Sequence, residues 1–157
     1  MIHLTYLEKT DSPLGEILLL SDGQHLTGLH FSDRINIKND WLKQDLAVFN
    51  QTKEWLDIYF SGAEPKLTIA LKFNGTPYQK RVWQELLNIS YGKTTTYQAI
   101  AEKINSSPRA VGGAVGKNPI SLVAPCHRVI GKDGSLTGYD GGLDRKAKLL
   151  ALEGIKL

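Results

Sequence analysis

Apolar residues in the first third of the chain fall into short runs separated by turn-forming residues, a pattern of strands rather than helices. Leu4-Thr5-Tyr6-Leu7 leads into the breaker-rich Asp11-Ser12-Pro13-Leu14-Gly15. Gly15-Glu16-Ile17-Leu18-Leu19-Leu20 reads as a buried strand, Ser21-Asp22-Gly23 as a turn, and Leu26 to Phe31 as a third strand. Strands so spaced predict an antiparallel meander. The period then changes: over residues 50–60, Trp55, Ile58, Tyr59 and Phe60 predict an amphipathic helix closed by Ser61-Gly62. Pro65 to Phe73 reads as an extended connection. Asn74-Gly75-Thr76-Pro77 then punctuates the chain, placing a domain boundary between residues 1–74 and residues 75–157.

The second half is patterned as helices. Thr76 as N-cap with Pro77 at the first helical position starts a helix to about Ser90, with Val82, Trp83, Leu86, Leu87 and Ile89 apolar and Tyr91-Gly92 as its stop. Residues Thr94 to Ile104 predict a short threonine-capped helix with Ile100 and Ile104 inward. Asn105-Ser106-Ser107 makes a turn, and Pro108 opens another helix through about Lys117. Helix, tight turn and helix match a helix-turn-helix, although helical hairpins that never touch DNA share the pattern. In the second of these helices Ala110, Val111, Gly112, Gly113, Ala114, Val115 and Gly116 are nearly all small. Interior glycines cost a helix roughly 1 kcal/mol each, so the surface is built for close approach by another backbone. Arg109 projects from its start. Further on, the apolar Ile120-Ser121-Leu122-Val123-Ala124 predicts a buried strand that Pro125 interrupts, leaving Cys126 at a bend and a second strand beginning near His127. Gly131-Lys132-Asp133-Gly134 is a hairpin signal, Gly138-Tyr139-Asp140-Gly141-Gly142 a glycine-rich loop, and Leu143 to Glu153 a last helix that buries Leu149, Leu150 and Leu152.

Composition changes this picture in two places. A chain of 157 residues with one cysteine has no internal disulfide, which points to a reducing compartment. With no membrane-length apolar run and no signal-peptide core, the expected location is the cytoplasm. The formal charge of +3 is divided unevenly: residues 1–74 hold 7 Lys/Arg against 10 Asp/Glu, residues 75–157 hold 12 against 6. A basic second half fits contact with a polyanion, and an ordinary fluctuation of charge gives the same count.

The chemistry centres on Pro125-Cys126-His127-Arg128-Val129-Ile130, which holds the only cysteine and the only histidine of the second half. A thiol presented at a bend beside an imidazole is a candidate nucleophile with its base. A lone cysteine also fits a buried small hydrophobe, and neighbours on a strand point to opposite faces, so both readings stay open at this level. His3, His25 and His30 lack metal-ligand spacing and read as structural. Glu153 sits at the carboxyl end of the last helix, where the dipole disfavours an anion. It needs a positive or hydrogen-bonding partner, and His127 is the candidate.

Taken together, Pro125-Cys126-His127-Arg128-Val129-Ile130, Thr96-Tyr97-Gln98, Pro108-Arg109-Ala110-Val111-Gly112, Asn118-Pro119, Tyr139-Asp140-Gly141-Gly142 and Leu152-Glu153-Gly154 resemble, in order, the O6-alkylguanine-DNA alkyltransferases, the methylated-DNA–protein-cysteine methyltransferases. The resemblance implies an α/β (α+β) fold. It consists of an N-terminal antiparallel sheet with a helix, RNase H-like, and a mostly helical C-terminal domain with a winged-helix-like helix-turn-helix. It implies repair of O6-alkylguanine, and of O4-methylthymine, by irreversible single-turnover transfer of the alkyl group to Cys126. His127, acting through a water and oriented by Glu153, would take the thiol proton, and Asn118 would brace the active-site turn. Tyr97 would donate to N3 of the leaving base and the Asp140 N–H would approach O6. The Cys126 and Val129 carbonyls would read the exocyclic amine, and Tyr139 would wall the alkyl pocket. The lesion lies inside a duplex and must be flipped out. Arg109 would fill the vacated stack, and the helix carrying Ala110, Gly112 and Gly113 would enter the minor groove. Gln98, Lys132 and Gly141 join the DNA- and substrate-binding set.

The partner implied is double-stranded DNA, met by a monomer, with no cofactor. Some relatives hold zinc in the N-terminal domain; the absence of cysteine there leads to an expectation of no metal. Asp140 stands where relatives often have serine, and Gly141 leaves room for bulky adducts. Three rivals remain: an alkyltransferase-like lesion-binding protein, which Cys126 disfavours, a helix-turn-helix regulator, and a cysteine hydrolase.

Overall fold

The computed structural model describes residues 3–156. The chain divides between Phe73 and Asn74 into two compact units.

In the first unit the meander forms as β1 (Tyr6–Thr10), β2 (Ile17–Ser21) and β3 (Leu26–Phe31). β1 and β2 are antiparallel with Tyr6 opposite Ser21 and Thr10 opposite Ile17, and β2 pairs β3 with a bulge at Leu20/Ser21. Every residue of β2 is buried, as befits a central strand covered on both faces. Leu18 and Leu20 cluster with Leu7 on one side, where Ile35 and Trp41 pack against them. A helix, α1 (Ala47–Phe60), packs against β2 and β3. Its buried stripe is Val48, Phe49, Thr52, Trp55, Leu56 and Tyr59, an i, i+4, i+7 face, while Ile58 is left exposed. α1 therefore starts at Ala47 rather than 50. A further strand, β4 (Leu42–Lys43), runs parallel to β1 and completes the order β3-β2-β1-β4. Two residues long and exposed, it shows no alternation that a sequence reading can register. The expected extended connection is present and bonds to β3, Leu26 N–H donating to the Ala70 carbonyl (2.7 Å) and Lys72 N–H to the Leu26 carbonyl (3.1 Å).

The second unit opens with α2 (Pro77–Leu86), started by a complete capping box in which Thr76 and Gln79 each take the other's backbone N–H. Gly75 lies flat against this start: a Cβ there would fall 2.5 Å from the Trp83 ring and 2.8 Å from the Gln79 Oε1 of the cap. Beyond Leu86 the chain tightens into three-residue turns instead of continuing as α-helix to Ser90. β5 (Thr95–Thr96) comes next, and Thr96 caps α3 (Tyr97–Ile104) by accepting from Ala99 N–H. Asn105 in the left-handed region (φ 55°) turns the chain, and Ser107 caps α4 (Pro108–Val115), so the helix-turn-helix is present. Trp83 Nε1 ties α2 to α4 through the Ala114 carbonyl (2.8 Å).

The expected strand over Ile120–Ala124 is not formed. The segment is buried, yet it is a series of tight turns with Leu122 at φ 71°. Asn118 causes this: its Oδ1 accepts from Ile120 N–H (3.1 Å) and its Nδ2 donates to the Ala124 carbonyl (2.8 Å), closing a loop that satisfies itself internally. The strand expected from His127 is likewise displaced. Cys126–Arg128 is a 3-10 turn, and β6 (Val129–Ile130) follows, parallel to β5 with Thr95 opposite Val129. The turn at Gly131–Gly134 forms, Gly131 N–H donating to the Ser135 carbonyl. The last helix, α5 (Leu143–Leu152), ends with Glu153 as its C-cap. No helix among the described residues is long and apolar enough to cross a membrane.

Candidate active site

Cys126 lies in the 3-10 turn that joins the Asn118 loop to β6, and it is only 4% exposed. Burial pushes its thiol above the ordinary value, and the carboxylate of Asp140 adds to this. Hydrogen bonds with the Asn118 and Ser121 side chains, and the positive charge of Lys146, pull the other way. The free protein thus holds a protonated thiol in a setting where several groups already favour the thiolate.

His127 is fully buried, its Nε2 2.6 Å from Glu153 Oε2. Glu153, whose side chain is also fully enclosed, accepts at Oε1 from Arg128 Nε (2.8 Å) and from Gly92 N–H (3.0 Å). Burial alone would raise this carboxyl. The bonds from His127, Gly92 and Arg128 outweigh it and hold the pKa down at about 2. The anion that the α5 dipole disfavours is therefore stabilised by three donors. Burial lowers the pKa of His127, with help from Arg128 and Lys146 and against Glu153. This direction favours the neutral ring, and because an ionised Glu153 can only accept, the neutral form carries its hydrogen on Nε2 and its lone pair on Nδ1.

Lys146 is the residue that sequence reasoning passed over. It is fully buried in α5, donating from Nζ to the Val129 carbonyl (2.6 Å) and the Thr137 carbonyl (3.3 Å). Desolvation lowers its pKa, while Cys126 opposes the shift. The signal was available: Lys146 stands three and four residues before Leu149 and Leu150, on their stripe, whereas Leu152 is only half-buried. Thr137 was also missed. Its Oγ1 meets the Tyr97 hydroxyl at 2.7 Å, so Tyr97 is linked through Thr137 and Lys146 to Val129 beside the thiol.

The structure thus gathers Cys126, His127, Glu153, Asn118 and Val129, and brings Tyr97 to them through Thr137. Arg109, Gln98, Ala110 and Gly113 form an exposed face of the helix-turn-helix, with Gln98 Nε2 3.3 Å from Glu102 Oε1. A Cβ at Gly113 would meet nothing within 4 Å, and one at Gly112 would touch the Tyr97 ring at 3.7 Å. Lys132 and Asp140 are exposed, Tyr139 is half-buried, and Gly141 is buried with its carbonyl accepting from Arg145 (3.2 Å). Among the described residues no three His, Cys, Asp or Glu side chains are grouped to hold a metal ion.

Known proteins match both units. The family model described as the ribonuclease-like domain of 6-O-methylguanine DNA methyltransferase matches residues 5–73, and that described as its DNA binding domain matches residues 77–155. A methylated-DNA–protein-cysteine methyltransferase from Haemophilus influenzae is 47% identical over 149 residues, covering 92% of this chain and 83% of that protein. One from Mycobacterium leprae is 44% identical over 157 residues, covering 98% and 93%. The crystal structure of Mycobacterium tuberculosis OGT in complex with DNA superposes with a TM-score of 0.88 at 41% identity, covering 94% of this chain and 92% of that one. With a thiol, an imidazole and a carboxylate gathered in its second unit and both units matched end to end, the chain belongs to the 6-O-methylguanine DNA methyltransferase family.

Proposed function

We infer that this protein repairs DNA by moving the alkyl group from O6 of guanine onto its own Cys126. The sulfur attacks the alkyl carbon, the carbon–O6 bond breaks, and guanine leaves with the electron pair and takes up a proton. The thiol proton passes through a water to Nδ1 of His127, and the resulting imidazolium is held by Glu153. Because the thioether is stable, each molecule acts once, and no cofactor enters the balance. The observation that carries this reading is the 2.6 Å bond between His127 and Glu153, buried on the same turn as the thiol. It fixes the tautomer that a proton-accepting histidine needs.

The positions of the residues support the other roles. Asn118 sets the turn that presents Cys126. Lys146 holds the Val129 carbonyl, which with that of Cys126 reads the exocyclic amine of guanine, and its charge favours the thiolate. The Tyr97 hydroxyl exchanges Thr137 for the base and, with the Asp140 N–H, meets the charge that develops on it. Tyr139 and Gly141 bound the alkyl pocket. Since Cys126 is almost closed off, entry of a flipped base requires the covering residues to move. The exposed, small-residue face of α4 approaches the minor groove, where Arg109 replaces the flipped base and Gln98 and Lys132 contact the strand. One chain acts per lesion, and O4-methylthymine is the second substrate.

Incubation with O6-methylguanine DNA followed by peptide mass spectrometry tests the reading. One methyl group on Cys126 per molecule, without turnover, is expected, and none in Cys126→Ser. DNA binding with an unmodified Cys126 would instead favour a lesion-binding protein.

A further inference from the structure

Arg128 sits within the thiol's own turn and has been given no part in the transfer. Its side chain is 9% exposed and fixed at both ends. Nε donates to Glu153 Oε1 (2.8 Å), Nη1 donates to the Ile89 carbonyl (2.7 Å), and Cζ lies 5.6 Å from the centroid of the Tyr91 ring. The two Glu153 oxygens are divided: Oε2 meets His127 Nε2, while Oε1 accepts from Arg128 Nε and Gly92 N–H.

This division answers a conflict in the relay. A buried carboxylate 2.6 Å from an imidazole orients the ring, and it also draws a proton onto it. An imidazolium has no lone pair and cannot accept the thiol proton. We propose that Arg128 is a positioning residue that neutralises Glu153, so that Glu153 aims His127 without converting it to imidazolium. The inference rests on the alkyl-transfer reading.

The charged and titratable groups that face His127 are Glu153 at the end of α5, Lys146 within α5, Arg128 beside it and Cys126 before it. Of these only Glu153 favours the protonated ring, and Arg128 is the group bonded to it. Burial of the ring is the largest influence against the imidazolium, and Arg128 adds to it in the same direction. A guanidinium suits the place because its planar fork reaches the carboxylate with one nitrogen and the Ile89 carbonyl with another.

The test combines the 15N NMR signature of the His127 ring with the pH dependence of methyl transfer at saturating O6-methylguanine DNA. Arg128→Gln keeps a hydrogen-bond donor near Glu153 and removes the charge. It is expected to move the ring's change from neutral to imidazolium, and the acid limb with it, up by about one pH unit, roughly a tenfold loss of rate on that limb that higher pH restores. Arg128→Lys restores the charge and is expected to return both to the wild-type position. The double variant Arg128→Met with Glu153→Gln leaves no stranded charge, so it is expected to fold and keep a neutral ring. A ring transition and an acid limb both in the wild-type position in Arg128→Gln, with only the active fraction reduced, would overturn the proposal, as would a ring in the double variant that becomes imidazolium at higher pH than in the wild type. If the wild type transfers no methyl group, the repair reading fails while the ring signature still decides the role of Arg128.

Discussion

Asn118 shows how much one side chain settles here. Its amide bonds Ile120 N–H and the Ala124 carbonyl and also serves the Cys126 thiol, so a single residue shapes the loop and tunes the sulfur. Asn118→Ala strands the buried Ile120 N–H, while the Ala124 carbonyl keeps the Cys126 N–H as a donor (2.8 Å). An unpaired buried group costs about 1–3 kcal/mol, and a fall in urea-derived stability on the order of 2 kcal/mol is expected. The thiol also loses a bond that lowers its pKa, so its alkylation at pH 8 is expected to slow in the molecules that remain folded. A loss below about 1 kcal/mol would mean that water takes over the bond to Ile120 N–H. Glu153 illustrates the opposite case. Its position at the end of α5 is unfavourable on its own, and donors from two parts of the chain, His127 and Arg128 in the Cys126 turn and the Gly92 N–H, hold it ionised.

Among the elements, α4 carries the sharpest conflict between stability and contact. Gly112 and Gly113 weaken the helix, yet its sides are secured by the Ser107 cap and by Trp83 on the Ala114 carbonyl. Gly113 faces open space, so nothing within the fold requires glycine there. Gly113→Ala is expected to stabilise the protein by about 0.5–1 kcal/mol through helix propensity. On the proposed reading, in which this face of α4 approaches the groove, the same methyl group should weaken binding to duplex DNA several-fold. Thermal unfolding and a fluorescence titration with a labelled duplex measure the two effects. Unchanged DNA affinity would remove α4 from the interface. The pairing of β5 with β6 matters in a different way: it places Thr96, the cap of α3, beside the strand that leaves the Cys126 turn, so the helix-turn-helix and the thiol share one support.

At the scale of the whole molecule, the buried charges predispose the protein to acid unfolding. His127 and Glu153 both have pKa values below their ordinary ones, Glu153 at about 2, and the exposed Asp22 in the first unit is also held at about 2 by bonds from His25 and Gln24. For each, the unfolded chain takes up a proton more readily than the folded one, so stability falls as pH falls. The His127 contribution is complete above its ordinary value of 6.5 and declines below it. The carboxylate contributions are complete above about 4.5 and decline towards about 2. Urea midpoints are expected to be level from pH 8 to 7, to drop below 6.5, and to drop again below 4.5. Glu153→Gln should soften the second drop. A midpoint that does not move between pH 7 and pH 5 would mean that His127 is not held neutral.

The sequence by itself determined the strand-rich first unit, the helix-turn-helix and the order of the family's motifs. These depend on local causes: periodicity, the caps Thr76, Thr96 and Ser107, and turn residues such as Asn105, which act within a few positions of one another. It also singled out Glu153 as an anion in need of a partner, since helix polarity is a local property as well. Only the tertiary structure decided that Ile120–Ala124 is a looped turn rather than a strand, because an apolar run records burial and not the hydrogen bonds that Asn118 diverts. The partners of Lys146, Thr137 and Arg128 were hidden for the same reason. Each carries a polar group into the interior to meet a carbonyl, hydroxyl or carboxylate that is distant in sequence, and such pairings exist only once the chain has closed on itself.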